Sequence, residues 1–132
     1  MSDVRTFVAE NVHTDGVTLA RLAEDRCDSV RVGVAGNAST SDELLLKLAG
    51  DAEWVVRVAV AKNRSASANV MSQLVKDQRE RVRMAVAGNA ATSMEDMLQL
   101  AVDVSTVVRH AVTMSPTAEP GVAAIAALAS DG

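Results

Sequence analysis

One dipeptide, Val-Arg, recurs through the whole chain at a constant spacing. It begins at Val4, Val30, Val56, Val82 and Val108, so each copy starts 26 residues after the previous one. Two further columns keep the same period: Leu22, Leu48, Leu74, Leu100 and Asp25, Asp51, Asp77, Asp103. Columns in phase over the full length predict tandem repeats, in which each unit buries its apolar face only against its neighbours.

A first helix in each repeat is indicated by a capping box. Thr40 and Glu43 have the Thr-x-x-Glu spacing that satisfies the free amides at a helix start, and Thr92 and Glu95 repeat it in the fourth copy. Carboxylates near a helix start also complement its dipole. These signals predict helices that begin directly after Thr40 and Thr92.

A second helix follows each Val-Arg dipeptide. Val30, Val34 and Asn37 share one face at helical spacing, and the Asn column is expected to end the helix in the left-handed conformation. The last copy carries a two-residue insertion within residues 115–120, as terminal repeats often do. We predict one all-α domain over residues 1–132, in which five two-helix repeats stack as a right-handed α-solenoid.

The segment from Leu48 to Asn63, LAGDAEWVVRVAVAKN, resembles the leucine-rich repeat variant family and is similar to HEAT and armadillo repeats, in which an Asp precedes a Val-Arg pair by five residues. The resemblance covers nearly all of residues 4–131. It implies a solenoid in which one helix of each repeat can be 3₁₀, and a partner that is a protein or, in fewer relatives, nucleic acid. One relative holds an iron–sulfur cluster on a cysteine group, which the single Cys27 cannot provide.

Residues suited to catalysis or cofactor binding form no recognisable pattern. One cysteine excludes an internal disulfide, and His13 and His110 stand almost four repeats apart, which disfavours a metal site. The chain has no glycine-rich phosphate loop, nucleophile elbow, signal-peptide start or long apolar run. We therefore expect a cytoplasmic protein that is not an enzyme and holds no cofactor or metal.

The arginine column invites a functional interpretation, but a structural one is favoured. From Arg31 onward, each arginine of the column follows an aspartate of the same repeat by six residues, as Arg57 follows Asp51. A bidentate pair between these two side chains would fix the turn and bridge to the next repeat.

The helix after each Val-Arg dipeptide is apolar on nearly every side. With Val30 and Val34 facing inward, the position between them points almost oppositely, and its column forms what we call the apolar stripe: Val32, Val58, Met84 and His110. Beside it lie the columns Ala35, Ala61, Ala87 and Gly36, Lys62, Gly88. The stripe is interpreted either as an open groove on a concave surface that binds a peptide or protein partner, or as core closed on itself.

Charge is distributed unevenly along this acidic chain. Residues 57–83 contain seven basic and two acidic residues, although the whole chain carries a net charge of −4. Once Arg57 and Arg83 are assigned to aspartate pairs, the remaining cations form a candidate basic patch: Lys62, Arg64, Lys76, Arg79 and Arg81. The patch is either a solvated loop region or a site for an anionic partner, such as an acidic protein segment or nucleic acid. Nucleic acid is disfavoured by a pI near 5.1 and by an aromatic content of 2%, which leaves few rings for base stacking.

The C-terminal segment suggests self-association. Residues 121–129 carry no charge, whereas a terminal repeat normally has a polar outer face. We therefore expect a homodimer formed through the C-terminal repeat.

Overall fold

The computed structural model describes residues 2–131, which form ten α-helices and no β-strand. The helices are α1 (Ser2–Glu10), α2 (Gly16–Leu22), α3 (Asp28–Gly36), α4 (Asp42–Leu48), α5 (Trp54–Ala61), α6 (Ala68–Leu74), α7 (Glu80–Ala87), α8 (Met94–Ala101), α9 (Thr106–Thr113) and α10 (Pro120–Asp131). The all-α prediction is confirmed. Within residues 2–131, no helix has both the length and the apolar character that crossing a membrane requires.

The odd-numbered helices pack against one another in chain order. Helix α1 contacts α3, α3 contacts α5, α5 contacts α7 and α7 contacts α9. Each even-numbered helix from α2 to α8 contacts the odd-numbered helices before and after it in the chain. Helix α10 packs against both α8 and α9, so it covers the end of the row of odd-numbered helices.

A single hydrophobic cluster extends from Ala9 in α1 to Ala126 in α10. The inward valines of the odd-numbered helices are fully buried in it: Val30, Val34, Val56, Val60, Val82, Val86, Val108 and Val112. Leucines and methionines of the even-numbered helices, such as Leu45 and Met71, are buried in the same cluster. Full burial of such a side chain contributes roughly 1.5–3 kcal/mol, so the inward columns are the main source of stability.

Helices α4 and α8 begin one residue later than the capping boxes predict. The Ser41 hydroxyl accepts a hydrogen bond from the Leu44 amide at 3.2 Å, so Ser41 is the cap of α4. Thr40 instead donates its hydroxyl proton to the Val34 carbonyl at 2.6 Å, and Thr92 makes the equivalent bond in the fourth repeat. The predicted caps were wrong because each threonine hydroxyl instead binds a carbonyl at the end of the preceding helix, which also accepts the amide of the column asparagine.

None of the helices in residues 2–131 is a 3₁₀ helix, contrary to what the family resemblance implies. In α4 the Ser41 carbonyl accepts from the Leu45 amide at 2.9 Å, and the Leu45 carbonyl accepts from the Ala49 amide at 2.8 Å. These are four-residue steps, as in an α-helix. The capped start lets even a seven-residue helix complete α-helical turns from its first residue.

Arginine–aspartate pairs connect successive repeats. Arg57 Nε donates to Asp77 Oδ2 at 2.7 Å, twenty residues along the chain, and Arg57 Nη1 donates to the main-chain carbonyl of Asp51 at 2.6 Å. The same carboxylate pairing occurs at Arg5–Asp25, Arg31–Asp51 and Arg83–Asp103. The predicted pairing with the carboxylate six residues earlier was wrong, because that carboxylate is already held by the arginine of the preceding repeat.

The asparagine column also bridges repeats. Asn63 Nδ2 donates to the carbonyls of Ala35 at 2.8 Å and Asn37 at 3.0 Å, and its Oδ1 accepts from the Ser65 amide at 2.8 Å. Asn37 and Asn89 make the equivalent bonds. No residue within 2–131, glycine included, has a positive φ. The predicted left-handed cap was therefore wrong, and the residue is explained by its two side-chain donors.

Small residues lie between neighbouring odd-numbered helices and let them approach closely. Ala35, Ala61 and Ala87, whose small size predicts close approach of successive helices, are fully buried. At the first junction a Cβ added to Gly33 would lie 2.9 Å from the Ala9 Cβ, so the two helices approach too closely for a larger side chain. The alanine column therefore belongs to the packing between helices.

A candidate partner-binding face

The apolar stripe lies on the side of the odd-numbered helices opposite their inward valines. Val32, Val58 and Met84 are half-buried and pack against the hydrophobic cluster, whereas His110 is exposed. The stripe is thus neither fully buried nor fully exposed. We call this side of the odd-numbered helices the odd-helix face.

An upstream groove on this face has a volume of about 400 Å³ and is bordered by helices α1, α3 and α5. Its lining includes Val32 of the apolar stripe, with Gly36 beside it and Glu10 and Lys62 at its edges. One acidic and one basic residue therefore border an otherwise neutral groove.

A downstream groove of about 630 Å³ lies where α5, α7 and the loop before α10 come together. It is lined by Ala61, Lys62, Arg64, Ala85, Gly88, Asn89, Ala90, Pro116 and Thr117. Its charged residues, Lys62 and Arg64, are both basic and exposed. Asn89, whose side chain fastens α7 to α5, forms part of the wall and fixes its position.

Lys62 borders both grooves and has glycine as its equivalent in the two neighbouring repeats. The column reads Gly36, Lys62, Gly88, and both glycines are exposed. A Cβ added to Gly36 would meet no heavy atom within 4 Å, and one added to Gly88 would meet only the Ala85 carbonyl at 3.6 Å. The grooves are open above these glycines because no side chain covers the end of the helix.

The five residues of the predicted basic patch do not gather at one place. Lys62 and Arg64 follow α5 and line the downstream groove. Lys76 lines a separate depression with Asp51 and Asp77, at the opposite end of the odd-numbered helices. Residues Arg79 and Arg81 lie at the start of α7, at that same opposite end. An eight-residue helix is about 12 Å long, so the two groups are separated by roughly that distance.

Arg79 makes one further contact that the sequence did not suggest. Its guanidinium carbon lies 5.2 Å from the centroid of the Trp54 ring, a cation–π arrangement that joins the starts of α5 and α7. This contact gives Arg79 a structural role.

The segment expected to mediate self-association is partly core. Val122 and Ala126 are buried where α10 packs on α8 and α9, while Ile125 is 40% and Leu128 72% exposed. An exposed apolar strip remains on the outer side of α10, while two of the eight apolar residues in 122–129 are buried against the fold.

Two groove residues were not foreseen from the sequence. Pro116 and Thr117 belong to the two-residue insertion in the last repeat, which carries this loop against the ends of α5 and α7. The insertion itself was visible in the repeat register. Its position over a groove depends on how the loop packs, for which the sequence offers no signal.

The odd-helix face combines apolar side chains, two cations and exposed backbone at the glycines. Within residues 2–131, no group of three or more His, Cys, Asp or Glu side chains could hold a metal ion. No protein-family model matches the chain, and neither the curated proteins nor the solved structures contain a significant match to it.

Proposed function

We propose that this chain is an α-solenoid of five 26-residue repeats that binds a peptide or protein partner on its odd-helix face. The observation that carries the proposal is the half-exposed apolar stripe beside two grooves. Val32, Val58 and Met84 bury only part of their surface in the hydrophobic cluster, and Val32 lines the upstream groove. Partner sites combine such apolar surface with a polar margin.

The hydrogen-bonded junctions support a preformed binding surface. The arginine–aspartate and asparagine–carbonyl bonds fasten neighbouring odd-numbered helices at both of their ends, as between α5 and α7. A rigid row loses little conformational entropy when a partner binds, which favours affinity. Stacked helical repeats provide extended surfaces of this kind.

Nucleic acid, the alternative predicted from the sequence, has less support. Lys62 and Arg64 lie at one end of the odd-numbered helices, and Lys76 and Arg79 lie at the other. Binding a polyanion requires cations arranged along one continuous track. Trp54, a possible stacking platform, is in contact with Arg79.

The test is selection from a random-peptide library displayed on phage, with the whole chain as bait. Peptides enriched on the wild type should lose at least about tenfold in affinity on a Val58→Asp, Met84→Glu double variant, because a charge in an apolar contact must be desolvated. Failure to enrich any peptide would refute the proposal.

A matched control separates the odd-helix face from the surface in general. Met94→Glu, compared with Met84→Glu alone, places the same new charge on an exposed methionine of α8. Its binding should equal that of the wild type. Circular dichroism and thermal unfolding of all variants verify that they fold, and equal losses in both variants would count against the odd-helix face.

A further inference from the structure

The downstream groove combines a cationic edge with a lining free of carboxylates. Lys62 and Arg64 are exposed there, and the other lining residues are uncharged. Among residues 2–131, the arginines that pair with carboxylates are those of the repeat junctions, and the lysine that does so is Lys47. Lys62 and Arg64 thus form no ion pair within this part of the chain.

The floor of this groove is bare backbone at Gly88. No glycine within residues 2–131 has a positive φ, so no conformation there demands glycine. Packing does not demand it either, because an added Cβ would make only an ordinary contact of 3.6 Å with the Ala85 carbonyl. Glycine at such a position permits close approach of another backbone.

The exposed backbone at Gly88 favours an extended segment over a helix. The groove volume of about 630 Å³ lies between the ends of α5 and α7 and the loop that carries Pro116. A helix is about 10–12 Å across with its side chains, whereas an extended chain brings its backbone close to the floor and turns alternate side chains to either wall.

We propose that the downstream groove binds an acidic peptide segment in an extended conformation. Its carboxylates pair with Lys62 and Arg64, and its backbone crosses Gly88. This inference rests on the proposed function and names the chemistry of the partner. Charge complementarity assigns the occupant, because an acidic segment neutralises both cations while the small uncharged lining admits its backbone.

The first experiment measures fluorescence anisotropy with a fluorescein-labelled peptide of alternating glutamate and leucine. Its matched control alternates glutamine and leucine. The acidic peptide should bind the full chain at least about tenfold more tightly at low ionic strength, since two ion pairs at an exposed site together give about that factor. The difference should shrink as salt screens the pairs.

Two double variants with the same change in net charge locate the site. Lys62→Glu with Arg64→Glu should weaken binding of the acidic peptide at least about tenfold. Lys76→Glu with Arg81→Glu reverses two exposed cations at the opposite end of the helices and should leave binding unchanged. Equal losses in the two variants would mean that overall charge governs binding and would overturn the inference.

A second pair of variants tests whether the peptide backbone passes over Gly88. Gly88→Leu should abolish the preference for the acidic peptide, and the protein should still fold because Gly88 is exposed and an added Cβ makes only an ordinary contact of 3.6 Å. Gly36→Leu makes the same change in the upstream groove and should retain that preference. Loss of the preference in both, or in neither, would contradict a backbone passing over Gly88.

The outcomes distinguish this inference from the proposed function. If library selection yields peptides that depend on Val58 and Met84 but are not acidic, and the glutamate peptide binds no better than the glutamine one, only the inference fails. If selection yields nothing and neither peptide binds, both fail. A single-stranded oligonucleotide that binds more tightly than the acidic peptide and depends on Lys62 and Arg64 would overturn the inference in favour of nucleic acid.

Discussion

Arg57 pairs with Asp77, twenty residues away, and not with the carboxylate of Asp51, only six residues away. The distances are 2.7 Å from Nε to Oδ2 and 3.3 Å from Nη2 to Oδ1. The two side chains are 16% and 9% exposed. Asp51 contributes only its main-chain carbonyl to the same guanidinium. One arginine thus fixes the turn of its own repeat and holds the next.

Arg57→Lys should lower the free energy of unfolding by about 1–3 kcal/mol, because an ammonium group cannot make the paired carboxylate bonds and the carbonyl bond together. Urea denaturation followed by circular dichroism measures the loss. The comparison is Arg109→Lys, since Arg109 keeps the bond to the Asp103 carbonyl but donates its Nε to the Ser130 hydroxyl. A loss for Arg109→Lys as large as that for Arg57→Lys would show that the carboxylate pairing contributes little.

The pairing of Arg57 also marks what the sequence could and could not predict. The period of 26 residues indicated two helices per repeat and which valines face inward, because apolar columns report burial directly. It could not choose between Asp51 and Asp77, which occupy the same column one period apart. A periodic sequence identifies the columns that interact but leaves open which copy supplies the partner.

The same distinction applies to the candidate site. Val32, Lys62 and Arg64 were identified from the sequence because they depart from the inward pattern or add charge. Thr40 and Ser41 both fit a helix cap, and only the direction of the chain at that turn decides between them. Pro116 could not be assigned to the groove, because the path of an insertion depends on tertiary packing.

Asn63 should tolerate substitution far less than Asn11. In Asn63→Asp two backbone carbonyls would face a carboxylate in place of the amide that they bind at 2.8 and 3.0 Å, at a site only 4% exposed. The free energy of unfolding should fall by at least about 2 kcal/mol.

Asn11→Asp is the matched control for this substitution. The Asn11 side chain is exposed and uses only its Oδ1, which accepts from the His13 amide at 2.9 Å, a bond that aspartate also makes. Its effect should stay within about 0.5 kcal/mol. Chemical denaturation at neutral pH compares the two, and similar losses would argue against the asparagine bridges.

Stability should decline in acid partly through Asp25. The Cys27 amide at 2.9 Å and the Arg5 guanidinium at 2.7 Å both donate to this carboxylate and hold its pKa below the usual value. A carboxyl group with a lower pKa in the folded state binds fewer protons there. Its stabilisation is therefore complete above the ordinary aspartate pKa of about 4 and is lost as the pH falls through the folded value.

Asp25→Asn should therefore flatten the pH dependence of unfolding below about pH 4 while lowering stability at neutral pH. Urea titrations over this range, on both proteins, give the two slopes. Parallel curves for the wild type and the variant would show that Asp25 is not among the groups responsible.

The two glycines of α3 should respond in opposite directions to the same substitution. In Gly33→Ala the new methyl group would lie 2.9 Å from the Ala9 Cβ and 3.2 Å from the Glu10 Cγ, so α1 and α3 must move apart at a cost of about 1–3 kcal/mol. In Gly36→Ala the methyl group meets nothing within 4 Å, and the stiffer unfolded chain should raise stability by about 0.5 kcal/mol. Thermal and urea unfolding measure both.

A double-mutant cycle with Ala9→Gly supplies the decisive control, because removing the Ala9 methyl group should recover part of the Gly33→Ala loss and none of the Gly36→Ala effect. Independent, additive effects of Ala9→Gly and Gly33→Ala would mean that the two helices do not approach as closely as the 2.9 Å distance requires.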